Sequence, residues 1–406
     1  MQTSNYLLQD SFLDSLLKSQ ATRLGPVFAD PERYRLQIIY TRIDRDAQNH
    51  PQCTDFTYNL DKNAYFYPAS TIKLAATALA LEKLNDLSIR GLDRHTHMIT
   101  KSLPGATPAA LTDASSPSGF PTISNYIKKI LLVSDNDAFN RLYEFIGQEA
   151  FNKSLWAKGY PGVQVRHRVG VTGISTEKNR YTNAITFRRG RKVIYQQPIQ
   201  YSLLTFSPRQ DQMGKAWYNE QHELVNAPMD ASEKNRIWLS DLHSILKSII
   251  FPDAVTKSQR FRLNDDDYGF LYHCMSAQPE ESEQPTFDPA AFHHNYVKFL
   301  LFGAGKNNHI SGDVRSFNKP GWAYGTLTDV AYIADFAHGI EFMLSATVYV
   351  NDNTGILSDE NYQFKQIGEP FMQALGELIY NYERQRQRAY RPDLSRFRID
   401  YSNKIF

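Results

Sequence analysis

The sequence predicts an α/β fold of the α+β type. One antiparallel sheet, built from both ends of the chain and flanked by helices, faces a mostly helical second lobe. Segments rich in β-branched and aromatic residues occur near both ends, at 35–60 and 319–350. Helical patterns fill much of the region between them. The chain has 406 residues, 42% of them hydrophobic, which is enough apolar material for a large core.

The first third of the chain contains a predicted hairpin between two helices. Residues 10–22 carry apolar side chains at helical spacing. Two strands at 35–43 and 55–60 are joined by a polar link. A long apolar helix then runs from Ser70 to about Leu87, built mainly from strong helix formers.

The middle of the chain is predicted to be mainly helical. Residues 104–121 are rich in Pro, Ser, Ala and Thr, which predicts a loop. Helices follow at 123–132, at 137–146, up to Lys158 and at 233–250. A hairpin with strands at 184–187 and 193–195 is expected around Arg189 and Gly190.

The last third carries the remaining strands, predicted at 319–324, 329–335 and 340–350. A strand or a helix is expected at 295–303, and a final helix at about 369–388. Strands at both ends with helices between them favour one sheet assembled from the two termini. We expect a single domain, 1–406, in three parts: an α/β lobe at about 25–68 plus 295–390, a helical lobe at about 69–175 plus 230–294, and an insertion with a β-hairpin at 176–229.

Composition excludes several function classes. The net charge of +2 does not suggest a nucleic-acid partner. No apolar run is long enough to span a membrane. No nucleotide-binding or metal-binding motif occurs, so we predict no cofactor and no metal. Cys53 and Cys274 could form a disulfide, but we expect two buried free thiols.

Ser70 and Lys73 form the first element of a predicted catalytic site. A serine becomes a good nucleophile only when a base takes its proton. A lysine three residues later lies on the same helix face and is within reach. The Ser-x-x-Lys pattern alone is weak evidence, because it also begins at Ser15, Ser175, Ser244 and Ser316. Only Ser70 follows a predicted hairpin and opens a strongly apolar helix.

Two further segments complete the pattern. Ser134-Asp135-Asn136 falls between two predicted helices, where Asn136 or Asp137 could also cap the second one. A second hydroxyl there could relay a proton, and an Asn could hold a substrate amide. Lys319-Pro320-Gly321 begins a predicted strand. A lysine there could bind a substrate carboxylate, and a glycine would let a substrate backbone approach closely.

In this order, the three motifs resemble the set found in class A β-lactamases and penicillin-binding proteins. The flanks are similar too, in Tyr67-Pro68-Ala69-Ser70-Thr71-Ile72-Lys73 and in 319–331. The resemblance covers roughly 30–160 and 295–385, whereas 175–295 does not align convincingly.

The resemblance implies a β-lactamase/transpeptidase-like fold and a role for each matching residue. Ser70 would be acylated, Lys73 would be a candidate base, and Ser134 would pass a proton to the leaving nitrogen. Substrate binding would fall to a second set of residues, namely Asn136, Lys319, Gly321 and Trp322. The backbone N–H groups of Ser70 and Trp322 would form the oxyanion hole.

The chain departs from the family pattern at two places. Pro320 stands where the family has Thr or Ser, so a hydroxyl that could contact a substrate carboxylate is missing. The Glu-x-x-Leu-Asn segment, whose glutamate activates the deacylating water in class A enzymes, is also missing. Residues 165–173 contain no carboxylate. Glu177 and His167 are weak candidates for the base, and a structural role is the favoured interpretation of His167.

The sequence therefore predicts a serine hydrolase that forms a Ser70 acyl-enzyme with a β-lactam or a related cell-wall peptide and deacylates slowly. A D-alanyl-D-alanine carboxypeptidase or an esterase of the same fold is an alternative. A penicillin-binding sensor that acylates without turnover is another. The expected partner is a small-molecule or peptide substrate. The resemblance also implies a periplasmic or cell-surface location, with the export signal absent from this sequence.

Overall fold

The computed structural model describes residues 3–104, 107–219, 221–306 and 312–401. Its α-helices are α1 (Thr3–Lys18), α2 (Ala21–Ala29), α3 (Lys73–Leu87), α4 (Ile123–Val133), α5 (Asn136–Ile146), α6 (Gln148–Ala157), α7 (Thr176–Asn179), α8 (Leu239–Ile250), α9 (Asp265–Ser276) and α10 (Glu369–Gln385). Its strands are β1 (Gln37–Arg45), β2 (Pro51–Tyr58), β3 (His97–Thr100), β4 (Ile185–Arg189), β5 (Lys192–Gln197), β6 (Gln212–Met213), β7 (Ala216–Tyr218), β8 (Leu224–Val225), β9 (Met229–Asp230), β10 (Val314–Asn318), β11 (Gly321–Ala323), β12 (Thr326–Asp335), β13 (Ile340–Tyr349) and β14 (Ile356–Leu357).

The main sheet joins strands from the two ends of the chain. Its order is β10-β12-β13-β1-β2, and β11 pairs with β12 beside β10. All these pairs are antiparallel. The strands from the two chain ends meet where β1 pairs with β13, with Gln37 opposite Thr347. The predicted antiparallel sheet assembled from both chain ends is therefore confirmed.

Helices cover both faces of this sheet. Alternate residues of β12 point to opposite sides, as the pleat requires. Val330 and Tyr332 join the core shared with α3, α4, α5, α8 and α9. Ala331 and Ile333 join a second core with α2 and α10. Every residue of β12 is buried as a result, which is the pattern of a strand covered on both faces.

Most predicted elements lie close to their observed positions, but several differ or were not predicted. The helix predicted from 233 begins at Leu239, and α9 and β10 were not predicted. Residues 295–303 form turns and neither a strand nor a helix. The strand predicted at 319–324 is shorter, because β11 covers only Gly321–Ala323 and the preceding strand, β10, ends at Asn318. Pro320 lies in this gap, where its missing N–H removes no strand hydrogen bond.

Smaller strands surround the main sheet. β4 and β5 form the hairpin predicted around Arg189 and Gly190, and β4 also pairs with β3. β14 pairs in parallel with β7. Both cysteines are free thiols; Cys274 is buried as expected, but Cys53 is only half-buried. Within the described ranges, no helix has both the length and the apolar character needed to cross a membrane.

Candidate active site

Ser70 lies in a tight turn just before α3. A 3-10 turn covers Ala69–Ile72, so the helix itself begins at Lys73 and not at Ser70 as predicted. Ala69 has a φ of 46°, a left-handed conformation that costs free energy for a residue with a side chain. The N–H and hydroxyl of Thr71 both donate to the Pro68 carbonyl, at 3.0 and 2.6 Å. These two hydrogen bonds stabilise the turn, in which Ser70 is half-buried beside a cleft.

Strand β11 passes so close to this turn that only glycine fits at position 321. A Cβ on Gly321 would lie 2.7 Å from the Ser70 nitrogen and from the Pro68 oxygen, and 2.8 Å from the Thr71 nitrogen. Real Cβ atoms do not approach backbone atoms so closely. Gly321 therefore lets the backbone of β11 lie directly against the backbone of the nucleophile.

The loop between α4 and α5 carries the second motif. Ser134 ends α4 in a left-handed conformation, with a φ of 61°. Asp135 caps α5, accepting a hydrogen bond of 2.7 Å from the Ala138 N–H. The expected cap at Asn136 or Asp137 is thus wrong by one or two positions. Because Asp135 supplies the cap, the side chains of Ser134 and Asn136 are left to face the cleft.

Lys73 is fully buried and bound by this loop. Its Nζ donates to the Ser134 carbonyl, to the Asp135 carbonyl at 3.2 Å and to Asn136 Oδ1 at 2.6 Å. Burial lowers the pKa of Lys73 to about 7, and the negative charge of Asp135 partly opposes this. A lysine with such a pKa is partly neutral near neutral pH and can then accept a proton.

Lys319 is also fully buried and contacts the side chain of Ser134. Its Nζ donates to Ser134 Oγ and to the Pro320 carbonyl, both at 2.9 Å. Burial lowers the pKa of Lys319 well below its usual value, and the charge of Lys73 lowers it further. The Ser134 hydroxyl therefore connects the cleft to a buried lysine, as a proton relay requires.

An open cleft of about 790 Å³ brings these elements together. Of the predicted site residues, Ser70, Ser134, Asn136 and Trp322 line it, while Lys73, Lys319 and Gly321 lie buried behind its wall. Sequence reasoning missed much of the remaining lining, which is rich in aromatic rings and contains two acidic side chains: Tyr67, Tyr218, Tyr296, Tyr324, Tyr362, Phe364, Asp359 and Glu360. The high Tyr and Phe content was the available signal, but it could not say which rings share one cavity.

The segment expected to supply a deacylating base contains none. The His167 ring is held at both nitrogens: Nδ1 donates to the Arg168 carbonyl, and Nε2 accepts a 3.1 Å bond from the Asn235 N–H. Burial lowers the pKa of His167 to about 4. Neither His167 nor Glu177 lines the cleft, and the Glu177 side chain is 59% exposed.

Gly170, in the same segment, packs directly on Asn136. Its φ is 64°, and a Cβ there would lie 2.2 Å from Asn136 Nδ2. This close approach leaves no space for a side chain at Gly170. The sequence shows a glycine at position 170, but its contact with Asn136 could not be predicted, because the two residues belong to segments that are distant in the chain.

Comparison with known families agrees with this geometry. A model of the beta-lactamase enzyme family matches residues 45–263, more than half of the chain. The chain belongs to the β-lactamase enzyme family. It is therefore a hydrolase of the β-lactamase type. The match includes the first two motifs and ends before Lys319. It also runs through most of 175–295, so the expectation that this stretch lies outside the resemblance is wrong.

Solved β-lactamase structures are similar to this chain over most of their length. The β-lactamase from Sphaerobacter thermophilus DSM 20745 is 12% identical and has a TM-score of 0.49, covering 90% of this chain and 97% of its own. An ancestral class A β-lactamase is 13% identical, with a TM-score of 0.49 and coverages of 90% and 99%. A β-lactamase from Burkholderia ambifaria is 14% identical, with a TM-score of 0.48 and coverages of 86% and 96%. A comparison with curated proteins found no match.

Proposed function

We propose that the protein attacks a β-lactam or a related cell-wall-peptide amide through Ser70 and forms an acyl-enzyme that is released slowly. One observation carries the proposal. Ser70, Ser134 and Asn136 line a single cleft, and two lysines with lowered pKa values, Lys73 and Lys319, lie directly behind them.

Acylation would use Lys73 as the base. In its neutral form Lys73 takes the proton of the Ser70 hydroxyl, and Ser70 Oγ bonds to the carbonyl carbon. The C–N bond then breaks, and Ser134 passes a proton to the leaving nitrogen. Lys73 returns the proton it took to Ser134, so the proton count of the enzyme is unchanged. In the free enzyme, Lys73 donates to the loop carbonyls, so it must lose a proton before it can act.

Substrate binding would use backbone and side-chain donors around Ser70. The N–H groups of Ser70 and Trp322 belong to two backbone segments in contact at Gly321 and would bind the developing oxyanion. One such donor contributes about 3 kcal/mol to the transition state. Asn136 would hold the substrate amide, and Lys319 would contribute positive charge when protonated. The ring of Trp322, packed on Phe299 with centroids 5.3 Å apart, would form an apolar wall.

We expect slow deacylation because no carboxylate occupies the segment that supplies the deacylating glutamate in class A enzymes. Asp359 and Glu360 are the carboxylates among the described lining residues, and they belong to the 358–361 turn beyond β14. Residues 165–173, where class A enzymes carry their glutamate, contain none. This observation also favours the second candidate, a penicillin-binding sensor that acylates without turnover. A D-alanyl-D-alanine carboxypeptidase or an esterase would need a base from another place.

The first experiment incubates the purified protein with a fluorescent penicillin and with nitrocefin while intact mass is followed, and Ser70→Ala is the control. We expect an adduct that requires Ser70 and decays slowly. A stable adduct would favour the sensor, and rapid turnover would overturn slow deacylation. No adduct would overturn the β-lactam assignment and leave ester and D-amino-acid peptide substrates to be tried.

We also propose that the protein works in the periplasm or at the cell surface. This follows from the proposed substrates, since cell-wall peptides and β-lactams are encountered there. Fractionation of cells that express the gene under its own promoter would test it, and recovery with cytoplasmic markers would overturn it.

A further inference from the structure

Lys298 is a third buried lysine behind the active-site cleft, and the mechanism above gives it no role. It is 1% exposed, and Lys73 and Lys319 are each 0% exposed. Charged side chains are rarely buried this deeply unless they are paired or hydrogen-bonded. The contacts of Lys298 therefore call for an explanation.

Lys298 connects three segments at the back of the site. It lies in the stretch 295–303, which has no regular structure. Its Nζ donates to the Met275 carbonyl at 2.6 Å, near the end of α9, and to the Ser316 carbonyl at 2.9 Å, in β10. A third bond of 2.8 Å reaches Asn318 Oδ1. Asn318 immediately precedes Lys319, so Lys298 holds the end of the strand that carries the active-site lysine.

These three bonds indicate the protonation state of Lys298. All three acceptors are carbonyl-type oxygens, which have no hydrogen to give. An ammonium group has three hydrogens and satisfies all three, whereas a neutral amine has two and would turn its lone pair toward an oxygen. Lys319 differs, because one of its two partners is the Ser134 hydroxyl, which can donate as well as accept. The bonds of Lys298 are therefore those of an ammonium group, as are the three bonds of Lys73 in the resting enzyme, whereas the bonds of Lys319 also suit a neutral amine.

Asp329 compensates the charge of Lys298 through Asn318. Asn318 Nδ2 donates to Asp329 Oδ1 at 3.0 Å. Asp329 Oδ2 also accepts from the N–H groups of Phe299 and Leu300, at 3.2 and 3.1 Å. The Asn318 amide thus lies between an ammonium and a carboxylate. Its oxygen accepts from Lys298, and its nitrogen donates to Asp329.

We infer that Lys298 is a positioning residue for the reaction at Ser70: through Asn318 it fixes the strand end that carries Lys319, and its positive charge opposes a second charge on Lys319. Lys319 is then kept ready to exchange a proton with Ser134. This inference rests on the proposed function, because it assigns Lys298 to the same reaction.

The charges around the two lysines agree with this arrangement. The charge of Asp329, in β12, raises the pKa values of Lys298 and Lys319. Glu281 also raises the pKa of Lys298, and Arg315, in β10, lowers it. Arg315 and Glu281 form a bidentate pair with two bonds of 2.8 Å, so their charges largely cancel. The charge of Lys73 also lowers the pKa of Lys319. Burial lowers the pKa of Lys298 to about 7, and Asp329 opposes this.

The sign of the expected effect follows from like-charge repulsion. A neighbouring positive charge disfavours protonated Lys319 and so lowers its pKa. Replacing Lys298 by a neutral residue removes the repulsion, so Lys319 holds its proton to higher pH, and the charge that Lys319 keeps lowers the pKa of Lys73. The rise of the Ser70 acylation rate with pH, which follows the loss of the Lys73 proton, should then move downward, by about one pH unit.

The test compares pH profiles of Ser70 acylation by a fluorescent penicillin in Lys298→Met, Lys298→Arg and wild type. The profile should move downward in Lys298→Met and return to the wild-type position in Lys298→Arg, which keeps the charge. Lys83→Met is the matched control, because Lys83 also donates to a backbone carbonyl and an amide, those of Phe145 and Gln197, without facing this site. A lower rate with an unmoved profile in Lys298→Met would overturn the inference and leave Lys298 a purely structural role.

A second measurement needs no variant that must fold. Titration of ¹³Cε-labelled lysines by NMR in the wild-type protein should show Lys319 losing its proton at lower pH than Lys298. The reverse order would overturn the inference. Failure of the proposed function is separate: it would appear as the absence of any Ser70 adduct in wild type, while the order of the two titrations could still be measured.

Discussion

Gly321 and Ser70 are in backbone contact: a Cβ added to Gly321 would lie 2.7 Å from the Ser70 nitrogen. This contact places the strand that follows Lys319 against the turn that carries the nucleophile. It joins two motifs that are about 250 residues apart in the chain. The oxyanion hole proposed above depends on it, since its two N–H groups come from these two segments.

Gly321→Ala should slow Ser70 acylation by about 100-fold, because the new methyl group collides with backbone atoms and moves β11 away from the turn. Overpacking should also destabilise the fold by about 1–3 kcal/mol. Stopped-flow labelling with a fluorescent penicillin and a thermal melt would measure both effects. Gly269→Ala in α9 is the control, because nothing lies within 4 Å of its Cβ position. Wild-type acylation in Gly321→Ala would show that the contact is not needed.

The acylation rate should rise with pH through about 7, where Lys73 loses its proton. The direction follows from the role of a base: the ammonium form dominates below this pH and cannot accept the Ser70 proton. Pre-steady-state acylation rates across the pH range would show the rise. Lys73→Ala should lose at least 100-fold in rate at every pH. A flat wild-type profile would remove Lys73 as the titrating base.

Gly170→Ala should weaken acylation by about tenfold, because its methyl group would push Asn136 away from Lys73 and from the substrate. Gly173→Ala is a close control in the same segment. Its φ is 71°, so it carries the same left-handed penalty, but nothing lies within 4 Å of its Cβ position. The difference between the two variants isolates the contact with Asn136. Equal rates in both would mean that this contact does not affect the reaction.

Substrates with a positive side chain should acylate Ser70 faster than matched anionic ones. Asp359 and Glu360 are the central residues of a turn closed by a 3.0 Å bond from the Asn361 N–H to the Ser358 carbonyl. Both line the cleft, and neither forms an ion pair within the described part of the chain. Ampicillin, benzylpenicillin and carbenicillin differ mainly in this charge.

Exposed charge pairs contribute little, so we expect a preference for ampicillin over carbenicillin of about two- to fivefold that weakens at high salt. Replacing the two acids, as Asp359→Asn with Glu360→Gln, should remove it. Glu280→Gln changes an exposed acid that does not line the cleft and should leave the preference intact. An unchanged preference in the double variant would mean that its cause lies elsewhere in the cleft.

Local sequence signals predicted the elements that carry the site. α4 starts where Thr122 can cap it, accepting a 3.0 Å bond from the Asn125 N–H, and the prediction began at the same residue. The capping box of Asn264 and Asp267 at the start of α9 is an equally local signal, from which this helix could have been predicted. The turns at 295–303 could not be predicted in this way, because bonds from Lys298 and to Asp329 hold them in place.

By itself, the sequence determined the order of the three motifs, the residue types available for catalysis and the absence of a glutamate in 165–173. Tertiary structure alone decided that Gly321 contacts Ser70, that Gly170 contacts Asn136 and which aromatic rings line the cleft. It also decided that Lys73 and Lys319 are buried, which lowers their pKa values. The physical reason is that a residue type and its spacing are local properties, whereas contact and desolvation depend on segments that only the folded chain brings together.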